Sequence, residues 1–141
     1  MKRISTIALL VLLTAAACSQ RPANTAATGN STQVIAVTDS VLRFGASDTL
    51  RLGRLHSGEQ AVRSFALRND TPTPIVIINH STTCNCTSFD YDRSPCMPGE
   101  QTVVRCTFDS RGEFGWQFKL VKMRLSGSDE PLRIFIEAEV E

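Results

Sequence analysis

Met97-Pro98-Gly99-Glu100-Gln101-Thr102-Val103-Val104-Arg105-Cys106-Thr107-Phe108 places a turn directly before a strand. Pro presets φ at the second turn position and Gly accepts a positive φ at the third, the type II pattern. Beyond the turn, Val104, Cys106 and Phe108 fall on one face, so Cys106 is expected to point into a core. Period-two patterning with one apolar face is the signature of a half-buried strand.

The same reading extends outward in both directions. Downstream, Leu132, Ile134, Ile136, Ala138 and Val140 alternate with Arg133, Phe135, Glu137, Glu139 and Glu141, a second half-buried strand. Between them, Trp116, Phe118 and Leu120 alternate in one phase and Val121, Met123 and Leu125 in the other. A β-bulge near Leu120-Val121, or a strand crossing between sheets, would reconcile the two. Upstream, Phe65 and Leu67 share a face of Ala61–Arg68. Asn69-Asp70-Thr71-Pro72-Thr73-Pro74 ends that strand, and Ile75–Ile78, apolar on both faces, reads as a central strand. Thr49–Leu52, ending in a turn with Gly53 and Gly58, and the short runs Val34–Thr38 and Val41–Phe44 complete the set. Seven or eight short strands with frequent turns predict an all-β, immunoglobulin-like β-sandwich over residues 34–141, with a small barrel as the alternative.

The chain opens with Met1-Lys2-Arg3, the apolar run Ile7–Leu13 and Thr14-Ala15-Ala16-Ala17-Cys18. Residues 1–17 read as a signal peptide, since the apolar run falls short of the roughly 20 residues of a membrane span. Small residues directly before a cysteine resemble a lipoprotein cleavage box, although Ala15 stands where Leu is more common. Cys18 is therefore expected to become a lipidated N-terminus that anchors the chain to a membrane. Residues 18–33, small and polar with Pro and Gly, read as a flexible tether reaching about 20 Å. Ser19 after the lipidated cysteine favours the periplasmic face of the outer membrane within a bacterial cell envelope.

Cleavage there leaves 13 of the 15 basic side chains against 14 acidic ones. Without a basic block, no nucleic-acid partner is expected. The remaining four cysteines, Cys84, Cys86, Cys96 and Cys106, are even in number, as expected of two disulfides in an oxidising compartment. If the strand pattern persisted through Thr83-Cys84-Asn85-Cys86-Thr87, the two thiols would sit roughly 6.6 Å apart on one face, against about 3.8 Å between the Cβ atoms of a disulfide. That geometry disfavours a Cys84–Cys86 bond and leaves each free to pair with Cys96 or Cys106. The alternative is a thiol redox site, or a copper or zinc site built from Cys84, Cys86, Met97 and His80. Against a redox site, the sequence offers no helix start to lower a thiol pKa.

The order Leu52-Gly53-Arg54-Leu55, Gly58-Glu59, Phe65, Asn69, Pro74–Ile77, Thr83–Thr87, Pro98-Gly99-Glu100, Val104, Phe108-Asp109 and Gly115 resembles the bacterial domain of unknown function 1573, over Val37 to Val140. The resemblance implies a fold like the ASPM, SPD-2 and Hydin group of immunoglobulin-like domains, and an exported lipoprotein. It implies no activity. Asn85 stands where that family usually has Gly, and Cys96 and Cys106 where it mostly has aliphatic core residues, a departure that suggests extra cross-linking.

His56 and His80 have no partner evident in the sequence and read as surface or capping residues, Asp90, Asp92 and Asp109 lack the spacing of a calcium-binding loop, and no nucleophile elbow or phosphate loop is present. Trp116 with Phe114 and Phe118 could mark a binding surface, since aromatic residues anchor interfaces, or pack in the core or at its rim. The expectation is a non-catalytic binding or scaffolding domain without cofactor. Its partner would be an unidentified envelope protein or a glycan-associated complex, met in one version through a sheet edge.

Overall fold

The computed structural model describes residues 32–141. The leader, Cys18 and nearly all of the tether lie outside the described residues. Two four-stranded sheets pack face to face. One contains β1 (Gln33–Val37), β3 (Gln60–Asn69), β6 (Gln101–Asp109) and β5 (Thr87–Tyr91), in the order β1-β3-β6-β5. The other contains β2 (Ala46–Leu55), β8 (Leu132–Val140), β7 (Gly115–Leu125) and β4 (Ile77–Thr82), in the order β2-β8-β7-β4. The sheets are mixed, because β1 runs parallel to β3 and β2 parallel to β8 while the other neighbours are antiparallel. This is an immunoglobulin-like sandwich with no closed barrel. β1 begins at Gln33, one residue inside the stretch read as tether, and the Gln33 amide donates to Asp48 at 2.8 Å.

The core is built from the alternations. Phe65, Leu67, Val104 and Cys106 from the first sheet meet Val121, Met123, Leu125, Leu132, Ile134 and Ile136 from the second, all buried. The Pro98-Gly99 turn forms as expected, with Gly99 at φ 83° and the Glu100 N–H donating to the Met97 carbonyl at 3.0 Å.

Four local expectations are overturned. Val41–Phe44 belongs to a short helix, α1 (Asp39–Phe44), capped by the Thr38 hydroxyl, which accepts from the Val41 N–H at 3.4 Å. Thr38 as N-cap, Asp39 in the first turn and Gly45 at the end are the helix signals, and they outweigh a four-residue apolar run. β2 continues through Gly53 instead of turning there: its register with β8 shifts between Arg51 and Gly53, and Gly53 takes φ 82° within this bulge. Ile75–Ile78 is not a central strand. Ile75 makes a lone bridge to Cys96, and β4 is an edge strand whose Ile78 is exposed. Finally, β7 has no bulge near Leu120-Val121, because its pairing with β8 runs unbroken from Gly115 to Met123. One phase of β7, Gln117 then Val121, Met123 and Leu125, faces the core along its whole length. Gln117 and Lys119 occupy that inward phase near the rim, where local partners satisfy them: the Gln117 amide donates to the Phe114 carbonyl at 2.6 Å, and Lys119 pairs with Glu113 at 2.9 Å.

Candidate functional site

Thr83–Cys86 is the turn by which the chain crosses from β4 in one sheet to β5 in the other. Both sides of the turn are pinned by hydrogen bonds. The Thr83 N–H donates to the Leu120 carbonyl and the Thr83 hydroxyl accepts from the Leu120 N–H, each at 3.1 Å, which ties the turn to β7. The Thr82 hydroxyl donates to the Cys84 carbonyl at 2.6 Å, and the Asp109 N–H to the Cys86 carbonyl at 2.8 Å, which ties it to β6.

Cys84 and Cys86 are joined to each other, with their Cα atoms 5.3 Å apart. The expected pairing with Cys96 or Cys106 is overturned, for a physical reason: β4 stops at Thr82, so the extended spacing that kept the two sulfurs apart does not apply within the turn. Cys96 and Cys106 are buried free thiols in the main core cluster. They act as small apolar core residues, and the extra cross-linking that the family resemblance suggested for them does not form. Desolvation pushes the Cys106 thiol up to about 12, and burial together with the Glu100 carboxylate raises Cys96.

The bridge closes a loop of only three residues. Loop-closure entropy assigns such a ring about 1.5 kcal/mol, against about 3 kcal/mol for a 15-residue loop. Both cysteines are half-buried and, with Asn85, Asp109, Arg111 and Glu113, line an open cleft of about 380 Å³. The Arg111 guanidinium is held on Asp109 at 2.9 Å, which keeps the Asp109 carboxyl well below the usual carboxylate range. Thr87 Oγ1 lies 3.8 Å from Cys84 Sγ.

The four residues considered for a metal are not brought together. The two sulfurs are bonded to each other, and the His80 ring meets the Tyr91 hydroxyl at 3.0 Å and packs on Phe89. Met97 sits in the Pro98-Gly99 turn before β6, while the Cys84–Cys86 turn docks at the far end of that strand, on Asp109. Among the described residues no group of three or more His, Cys, Asp or Glu could hold a metal ion.

The second candidate is the outer face of β7 and β8. Trp116 is 70 % exposed and Phe118 63 %, and Phe114 in the preceding loop is 73 %. Phe118 stacks on Phe135 of β8 with ring centroids 4.8 Å apart. Opposite Trp116, the β2 bulge at Gly53 opens a notch of about 200 Å³ between Arg51, Arg54, Glu137 and Glu139, with Trp116 as its apolar wall. The charges beside it are paired: Arg51 with Glu137 at 3.7 Å, and Arg54 with Glu139 at 3.0 Å and Glu141 at 3.4 Å. The aromatic triplet was visible in the sequence. Its outward phase was hidden by the polar inward positions Gln117 and Lys119.

Residues 43–140 match the sequence model of a family described as Protein of unknown function (DUF1573). No curated protein matches the chain. Among solved structures, the chain is similar to a protein of unknown function from Porphyromonas gingivalis W83, at 21 % identity and TM-score 0.59, covering 66 % of this chain and 44 % of that one. It is also similar to the secreted serine protease VesC of Vibrio cholerae, at 10 % identity and TM-score 0.51, covering 64 % of this chain and 21 % of that one. The VesB protease of Vibrio cholerae gives 13 % identity and TM-score 0.51, covering 66 % of this chain and 30 % of that one. The chain thus spans less than half the length of each of these structures, and at such identities the likeness concerns the fold alone.

Proposed function

This chain belongs to the DUF1573 family, and from that premise we propose that it is a lipid-anchored envelope protein whose sandwich binds a neutral glycan, without catalysis, through the outer face of β7 and β8. The observation that carries the reading is the pairing of exposed aromatic rings with charges that already have partners. A sugar ring offers an apolar C–H face to Trp116, and hydroxyls that both donate and accept to Arg51, Arg54, Glu137 and Glu139. A protein covering this face would have to bury five charged groups, at a cost that imperfect pairing leaves uncompensated. A polyanion would find its arginines already neutralised by carboxylates. Anchoring through Cys18 rests on the leader sequence.

Trp116 is the single tryptophan of the chain, so its fluorescence reports directly on the face. Titration with a panel of neutral β-linked oligosaccharides is expected to give a saturable change with at least one of them. Affinity electrophoresis of Trp116→Ala should then show the retardation lost with the fold intact. A panel that leaves Trp116 fluorescence unmoved defeats the glycan reading. An intact mass of the mature protein without acyl chains at Cys18 defeats the anchor.

A further inference from the structure

We propose that the Cys84–Cys86 bridge is a thiol–disulfide exchange site for the cysteine pairs of another polypeptide. It stands apart from the aromatic face and from the glycan reading. The bridge is half-exposed on an open cleft, whereas Cys96 and Cys106 are sealed in the core. The turn is held on both sheets by the hydrogen bonds of Thr82, Thr83, Cys86 and Asp109, none of which passes through sulfur. Opening the bond therefore leaves the crossover in place.

The sequence offers no helix start to stabilise a thiolate, but the fold supplies a hydroxyl. Thr87 Oγ1, 3.8 Å from Cys84 Sγ, is placed to donate to a thiolate there, while Cys86 packs against the second core cluster formed by Leu55, Phe108, Ala138 and Val140. Arg111, the cation lining the cleft, is engaged by Asp109 and contributes less. This asymmetry sets the direction of attack. An incoming thiolate forms a bond to Cys86 Sγ, the Sγ–Sγ bond breaks, and its electron pair leaves on Cys84 Sγ beside the Thr87 hydroxyl. The second thiolate of the substrate then attacks the substrate sulfur of this mixed disulfide and expels Cys86. The substrate dithiol has lost two electrons and two protons, and Cys84 and Cys86 have gained them. The reverse sequence, with a disulfide as substrate, restores the bridge. The open cleft, with the amide of Asn85 and the carboxylates of Asp109 and Glu113 along it, gives a peptide backbone donors and acceptors to lie against.

The test mixes the oxidised full chain with a reduced two-cysteine peptide, quenches with an alkylating reagent and reads both masses over time. The expected result is peptide oxidation in step with two new alkylation sites at Cys84 and Cys86, none at Cys96 or Cys106, and unchanged near-UV circular dichroism. Thr87→Val is expected to slow the exchange about five-fold through the poorer leaving thiolate, and Thr87→Ser to restore it. A wild-type bridge that opens only when the near-UV signal is lost overturns the proposal, as does a folded Thr87→Val that exchanges at the wild-type rate. The wild-type measurement decides by itself should Thr87→Val fail to fold.

Discussion

The two ends of β6 carry the polar residues most distinctive of this sequence, and they are built in opposite ways. At the Gln101 end, Asn69 is fully buried and every hydrogen-bonding group it has is used. Its side-chain amide donates to the Thr73 and Cys96 carbonyls at 2.8 and 2.9 Å, and its carbonyl oxygen accepts from the Thr71 N–H and hydroxyl at 3.0 and 2.7 Å. Its backbone bonds Glu100 and Gly99 across the Pro98-Gly99 turn. At the Asp109 end, the Cys84–Cys86 turn is half-exposed and its distinctive atoms, the two sulfurs, hold little of the fold. A buried, saturated network is costly to disturb, whereas a short exposed ring can open and close. Equal prominence in the sequence therefore hides unequal work: one end fixes the sandwich and the other is available for chemistry.

The largest effect is expected at the first end. Asn69→Ala removes four hydrogen bonds and leaves the Thr71 N–H without its acceptor, and should lower stability by about 4 kcal/mol in denaturant unfolding. A loss near zero would erase the contrast between the ends. Between them, Cys106 gives a pH signature. Its folded pKa is raised to about 12, so an unfolded thiol ionises first as pH rises from about 8.5. Stability is complete below that point and should fall progressively as pH rises towards the folded value. Cys106→Ala should flatten this alkaline slope in unfolding curves taken at several pH values. Replacing both Cys84 and Cys86 by Ser should cost about 1.5 kcal/mol or less by the same assay. A loss as large as that of Asn69→Ala would make the bridge a staple. The smallest stability change, under about 0.5 kcal/mol, is expected for Trp116→Ala, whose ring is mostly in solvent.

At the acid end the sign reverses. Arg111 holds the Asp109 carboxyl below its ordinary range, so this pair adds stability above the unfolded carboxyl pKa and loses it as pH falls towards the folded one. Asp109→Asn should remove that part of the acid slope in unfolding curves.

The alternations in β3, β6 and β8 name the core directly, because each has one apolar face and the opposite face tolerates charge. The Pro98-Gly99 turn was equally legible, as a local conformation set by local chemistry. What escaped were features decided by neighbours. Cys84 and Cys86 bond because the chain changes sheets at Thr83, and no property of Thr83-Cys84-Asn85 announces where a strand must stop. The outward aromatic face of β7 was masked because Gln117 and Lys119 find partners at the rim, which permits polar residues on the inner phase. Helix α1 has its own signals in Thr38 and Gly45, but the apolar run Val41–Phe44 inside it is short enough to suit a strand equally well.

The parallel pairing of β1 with β3 has a mechanical consequence. The chain enters the sandwich at Gln33, and the five register positions from Gln33↔Phe65 to Val37↔Asn69 lie one after another along β1. A tug on Gln33 in the direction of the strand loads this ladder in shear, so that its rungs share the strain instead of parting singly like a zip. Under such a load the first strand holds as a unit instead of peeling from its neighbour.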